Sequence, residues 1–160
     1  MSTRRSARAL ESLRTMTSES IERIRASFAL LAPQLDRLTE SFYERLFAAR
    51  PEVRALFRAD MKSQRQHFAA ALSLIVRNLT MLDALEGSFI QLGADHARAR
   101  VRPEHYPVVR DAILASMAEA LAITGAWTPE LADDWRQLIE RIATHMLRGG
   151  LTTHRAERCR

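Results

Sequence analysis

Four residues with hydrogen-bonding or metal-ligating side chains stand where helical spacing calls for apolar ones. Met61, Phe68, Leu72, Ile75 and Leu79 recur at steps of seven, four, three and four, the stripe of a helix facing a core. Gln64 falls on that stripe. An amide turned into a core costs about 1–3 kcal/mol unless something hydrogen-bonds it. Gln64 therefore either caps a backbone group near a helix start or meets another polar side chain. Leu85, Phe89 and Leu92 define a second inward stripe, and His96 extends it by one turn. A histidine in that place is either a satisfied core residue or a metal ligand acting through its neutral imidazole. Tyr106 heads the stripe Val109, Ile113, Met117 and Leu121, and Tyr43 borders the inward face carrying Leu35, Leu38, Phe42 and Leu46. A buried tyrosine by itself needs no more than a backbone partner for its hydroxyl.

Together the four carry more weight. Each belongs to a different helix, and each points among a set of phenylalanines: Phe42, Phe47, Phe57, Phe68 and Phe89. A flat aromatic cofactor with a polar centre accounts for both the apolar lining and the few convergent polar groups. A buried structural network accounts for them too, and spacing leaves both readings open.

The elements that must position these residues are helical throughout. Thr17-Ser18-Glu19-Ser20 offers an N-cap ahead of Ile21, Ile24, Phe28 and Leu31. Pro33 opens the next helix and Pro51 a short turn of helix through Leu56-Phe57. Further helices are predicted from about Asp60 to Leu79 and from about Leu82 to His96, and another opens at Pro103. The last opens at Thr128-Pro129-Glu130 and is predicted to stop at Gly149-Gly150. No stretch reads as a strand. The fold class is all-α, with about seven helices. Residues 1–17 read as a flexible basic extension, 18–150 as one domain and 151–160 as a basic tail.

The chain has 160 residues, 47% of them hydrophobic, with only 5 Gly and 5 Pro, a composition that suits a compact helical domain with room for a pocket. The longest mostly apolar run, Phe68 to Val76, is far short of a membrane span. The arginines near Met1 have no apolar run behind them, unlike a secretory signal. Cys159 is the single cysteine and can form no internal disulfide; a cytoplasmic location is expected. The net charge of +5 raises the question of nucleic acid. Lys62 is the only lysine, and the arginines are scattered among 19 acidic residues rather than blocked, so no nucleic-acid role is expected.

Read in order, several segments resemble the bacterial globins, specifically the single-domain relatives of the flavohaemoglobin globin domain. They are Ser41-Phe42-Tyr43-Glu44-Arg45-Leu46-Phe47, Arg50-Pro51-Glu52 through Leu56-Phe57, Ser63-Gln64-Arg65, Asn78-Leu79, Leu92-Gly93 before His96, Arg102-Pro103-Glu104-His105-Tyr106, and Trp135. The similarity runs from about Ile24 to Met146. It implies a globin fold around one haem b (iron protoporphyrin IX). It implies that His96 is the proximal iron ligand, that Phe57 stacks on the porphyrin and that Phe68 lies over the iron. Tyr43 and Gln64 become the distal hydrogen-bonding pair, and Tyr106 a proximal-side tyrosine near the porphyrin edge. The other histidines are expected elsewhere: His67 near a propionate, His105 ahead of the pocket tyrosine, His145 and His154 at the surface.

The resemblance further implies reversible binding of dioxygen, nitric oxide and carbon monoxide, in oxygen transport or storage. With a separate reductase it implies conversion of nitric oxide to nitrate, a nitric oxide dioxygenase activity. A haem-based gas or redox sensor, or a haem-handling protein acting through a partner, is the alternative, and a monomer or homodimer is expected. One departure stands out. The flavohaemoglobin pattern places a last-helix glutamate beside the proximal histidine, strengthening electron donation to the iron. That position falls near Thr152 in this chain, and the neighbouring last-helix tyrosine is replaced by Ile139.

Overall fold

The computed structural model describes residues 16–57 and 60–157, with side chains through residue 152 in the last helix. Most of the predicted basic extension, Cys159 and the side chain of His154 lie outside the described residues. Six α-helices carry the described residues: α1 (Ser18–Leu31), α2 (Leu35–Ala49), α3 (Met61–Arg77), α4 (Glu86–Arg98), α5 (His105–Leu121) and α6 (Pro129–Glu157). Tight 3-10 segments fill Ala32–Gln34, Pro51–Leu56, Leu79–Leu85 and Ala122–Thr124. No strand occurs among the described residues.

Local chemistry sets most of the boundaries. Thr17 caps α1 by accepting from the Ser20 amide at 3.1 Å, and Asp60 caps α3 by accepting from Ser63 N at 3.0 Å. Pro33 sits in the 3-10 segment before α2 rather than at its first turn, so α2 begins at Leu35. The predicted start near Leu82 is likewise displaced to Glu86. Residues 79–85 wind as a 3-10 segment with a non-helical break at Met81 (φ −126°). The chain bends by 108° one step earlier, at Asn78, between α3 and the segment that runs from Leu79 to Arg98. No single helix among the described residues is long and apolar enough to cross a membrane.

Packing places α2 across α5 and α3, while α4 packs most extensively along α6. The anchor is Trp135, 1% exposed, whose indole N–H donates to Ser27 Oγ at 3.0 Å. Arg23 clamps the buried Asp134 through two contacts of 2.5 and 3.0 Å, tying α1 to α6.

The last helix does not stop at Gly149-Gly150; it continues to Glu157. The glycines answer a packing demand instead. A Cβ on Gly149 would lie 1.9 Å from the carbonyl oxygen of Ile90, and one on Gly93 would lie 1.9 Å from that of Met146. The two backbones thus meet where neither helix can carry a side chain. A missing Cβ reads identically as a stop or as a close crossing, and tertiary contact decides between them.

Candidate functional site

α2 and α3 build one wall. Tyr43 is 6% exposed, and Gln64 Nε2 donates to its hydroxyl oxygen at 3.1 Å. Gln64 therefore does not cap the backbone, a role Asp60 fills for Ser63. Because the phenol accepts from the amide, its own proton stays free for a third group. Burial pushes the Tyr43 phenol above its ordinary value, with the Gln64 bond opposing more weakly, so the group stays a neutral donor through the physiological range.

Aromatic rings surround the pair. Phe57 meets Tyr43 edge-on at 5.4 Å, Phe68 lies 6.1 Å from Tyr43 and 4.6 Å from Phe42, and Phe47 packs 5.5 Å from Phe57. Phe89 does not join them. It lies on the α4–α6 side with its ring stacked on His145 at 6.4 Å. His145 is accordingly not superficial: its side chain is 16% exposed and faces Glu86 at 3.5 Å.

α4 supplies the opposite group. Nδ1 of His96 lies 2.9 Å from the carbonyl oxygen of Leu92, one turn back. A carbonyl can only accept, so the neutral ring carries its proton on Nδ1 and presents the lone pair of Nε2. Burial lowers the pKa of His96, against smaller opposing effects from the Leu92 bond and Asp95. The ring is thus kept in the form that ligates a metal. Leu92, expected on the inward stripe, is 41% exposed. It shares the His96 side of α4 rather than the side that Phe89, Gly93 and Ala94 bury against α6.

Tyr106, at the start of α5, is half-buried and packs against the core, and burial raises its pKa. Its hydroxyl has no protein partner among the described residues. His105 is 5% exposed and accepts at Nδ1 from the Arg102 amide at 3.1 Å, closing the turn between α4 and α5. His67 lies exposed on α3.

Sequence reasoning missed a cleft of about 600 Å³ between the Pro51–Leu56 segment and that turn. Its lining includes Glu52, Leu56, Ala97, Arg98, Arg100 and Arg102. The alternating arginines directly after His96 are visible in the chain, but they read as part of a general arginine bias.

The donor set fits a planar, metal-carrying cofactor. Among the described residues no three His, Cys, Asp or Glu side chains gather around a point, so a metal taken up by His96 must bring its other ligands with it. α3 and α4, separated by the 3-10 segment Leu79–Leu85, do not pack extensively against each other. One bears the phenol-bonded amide and the other the imidazole. On the α6 side, Thr152 is exposed and donates to the carbonyl of Gly149 on its own helix at 2.7 Å. The described partner of His96 Nδ1 is a backbone carbonyl, not a carboxylate.

Comparison with known proteins agrees with this architecture. The Globin family model matches residues 40–146. The chain is 29% identical over 132 residues to a flavohemoprotein of Halalkalibacterium halodurans, covering 81% of this chain but 32% of that relative. A globin-like protein of Aquifex aeolicus is 28% identical over 106 residues, covering 66% of this chain and 76% of the relative. An engineered carbene transferase from Rhodothermus marinus superposes with a TM-score of 0.78 at 25% identity, covering 89% of this chain and 98% of that one. A bacterial globin from Campylobacter jejuni shares the fold at a TM-score of 0.70 and 22% identity. The chain therefore belongs to the globin family, and haem is the cofactor that this membership implies.

Proposed function

We propose that this chain binds a small diatomic gas, with Tyr43 and Gln64 hydrogen-bonding the ligand and His96 holding the haem iron. The 3.1 Å contact between Gln64 and Tyr43 within a ring of phenylalanines carries the reading. A haem at this site supplies the ferrous iron to which dioxygen, nitric oxide or carbon monoxide binds. The protein supplies the rest. Gln64 orients the phenol, the phenol keeps a proton to donate, and Phe57 and Phe68 exclude water around it. Dioxygen polarises on binding and carbon monoxide does so far less, so these donors favour dioxygen.

The Rhodothermus relative is an engineered form of a protein named as a nitric oxide dioxygenase, and that activity fits the same pocket. Forming nitrate from nitric oxide and dioxygen needs one electron per turnover, which this chain would take from a reductase.

Stopped-flow dissociation of the two gases tests the reading. A charge-assisted hydrogen bond contributes about 1.5–3 kcal/mol, roughly 10- to 150-fold in an equilibrium constant. Tyr43→Phe should release dioxygen faster by about that factor and leave carbon monoxide release nearly unchanged. Equal acceleration of both gases would show that Tyr43 gates passage instead.

A further inference from the structure

Gln64 and its neighbour Arg65 both reach from α3 to α2. Adjacent residues on a helix stand about 100° apart around its axis, so the two side chains approach α2 along different lines. Gln64 meets the Tyr43 hydroxyl at 3.1 Å. Arg65 meets two carboxylates: Nη1 donates to Glu40 Oε1 at 3.3 Å, and Nε lies 3.6 Å from Asp36 Oδ1. Asp36, Glu40 and Tyr43 follow one another at steps of four and three, which puts them on a single face of α2. The guanidinium thus spans a full turn of the helix that carries the phenol. Its side chain is 24% exposed, less than either carboxylate, and its Nε is buried with Asp36 at ion-pair distance but no hydrogen bond. Among the described residues, the contacts of Gln64 and Arg65 are the polar contacts between α3 and α2.

The bond between amide and phenol has little slack. At 3.1 Å it stands near the long end of the usual range, and a slide of α3 by about half an ångström would break it. An ion pair as exposed as that of Arg65 adds little to stability; what it can add is register. Resting on the reading of Tyr43 and Gln64 above, we propose that Arg65 is a positioning residue. By gripping Asp36 and Glu40 it fixes α3 on α2, holds the Gln64 amide on the Tyr43 hydroxyl and so sets the preference for dioxygen over carbon monoxide. A guanidinium suits this role, since its planar fork meets two carboxylates at once and it stays charged.

Gas dissociation from the haem-loaded protein tests this by stopped flow, together with the infrared stretch of bound carbon monoxide, which reads the polar groups facing the ligand. Arg65→Met keeps a long side chain and removes the charge. It should release dioxygen about two- to fivefold faster, the span of a partly exposed ion pair. Carbon monoxide release should stay nearly unchanged, and the infrared band should move in the direction that Gln64→Leu moves it. In the Gln64→Leu background the same replacement should change nothing, because no amide is left to orient. Exchanging the charges, Glu40→Arg with Arg65→Glu, should bring the dioxygen rate back towards wild type. Should Arg65→Met not fold, Glu40→Gln reads the same contact and should act in the same direction by a smaller factor. Unchanged dioxygen release on losing the ion pair, an undiminished effect in the Gln64→Leu background, or equal acceleration of both gases overturns the assignment. If Tyr43→Phe and Gln64→Leu themselves leave dioxygen release unchanged, the reading of that pair fails, a result distinct from these.

Discussion

The two walls of the site are held together by different kinds of contact. On the α2–α3 side the geometry is made by side chains: an amide on one helix meets a phenol on another at 3.1 Å, and four phenylalanines pack around them. On the α4–α6 side it is made by backbone. His96 is held by a carbonyl of its own helix, and that helix is seated on α6 through glycines that leave no room for a Cβ. The first arrangement can be tuned by exchanging one side chain. The second sets where the imidazole stands and tolerates almost no exchange.

The sharpest way to break this contrast is at the crossing. A methyl on Gly93 meets the backbone of Met146 at 1.9 Å, and backbone cannot rotate aside as a side chain can. Gly93→Ala should cost about 3 kcal/mol, measured by urea unfolding, and should loosen haem retention. Gly87 lies in the same helix with nothing within 4 Å of its virtual Cβ. Gly87→Ala should instead stabilise by about 0.5–1 kcal/mol. Equal responses at the two positions would remove the backbone-crossing account.

The side-chain wall is expected to respond less in stability and more in chemistry. Gln64→Leu should speed dioxygen release in the same direction as Tyr43→Phe but by a smaller factor, because the amide also acts by orienting the phenol. If both groups serve one ligand, as proposed, the double variant should fall short of the product of the two single effects. Multiplicative effects would show that they act independently.

The smallest expected effect is alkaline. Burial raises the pKa of Tyr43 and Tyr106, so the folded state favours the neutral phenols. Their stabilising contribution is complete below the unfolded tyrosine value near 10 and is lost as pH rises through the folded values. Unfolding free energy should therefore fall above about pH 10, the unfolded tyrosine value, and Tyr43→Phe with Tyr106→Phe should flatten that decline. A slope identical to wild type would place it on other groups.

The contrast also explains what the sequence could and could not disclose. Helical periodicity placed Tyr43, Gln64, His96 and Tyr106 on the right elements, because a period of 3.6 names the face of each helix. It could not name the partner across that face. The Tyr43–Gln64 bond joins residues 21 apart, and Phe89 turned out to stack on His145 rather than join the other rings. Leu92 matched the period yet is 41% exposed, since it follows the His96 side of α4 rather than the side against α6. Gly149-Gly150 resembled a helix stop because only the approach of α4 reveals why a Cβ is excluded there. Arg65 stood in a segment that resembles the globins, but its carboxylate partners on α2 could not be named from it.

The central claim is that His96 alone among the histidines ligates the haem iron. The absorption spectra of His96→Ala, oxidised, reduced and with carbon monoxide, test it most directly. Beside them stand the wild type and the replacements of His67, His105 and His145. The account predicts that His96→Ala loses most of its haem or holds it weakly with an altered spectrum, while the other three variants keep the wild-type spectrum. A normal histidine-ligated spectrum in His96→Ala, or haem loss on replacing another histidine in its place, would contradict it.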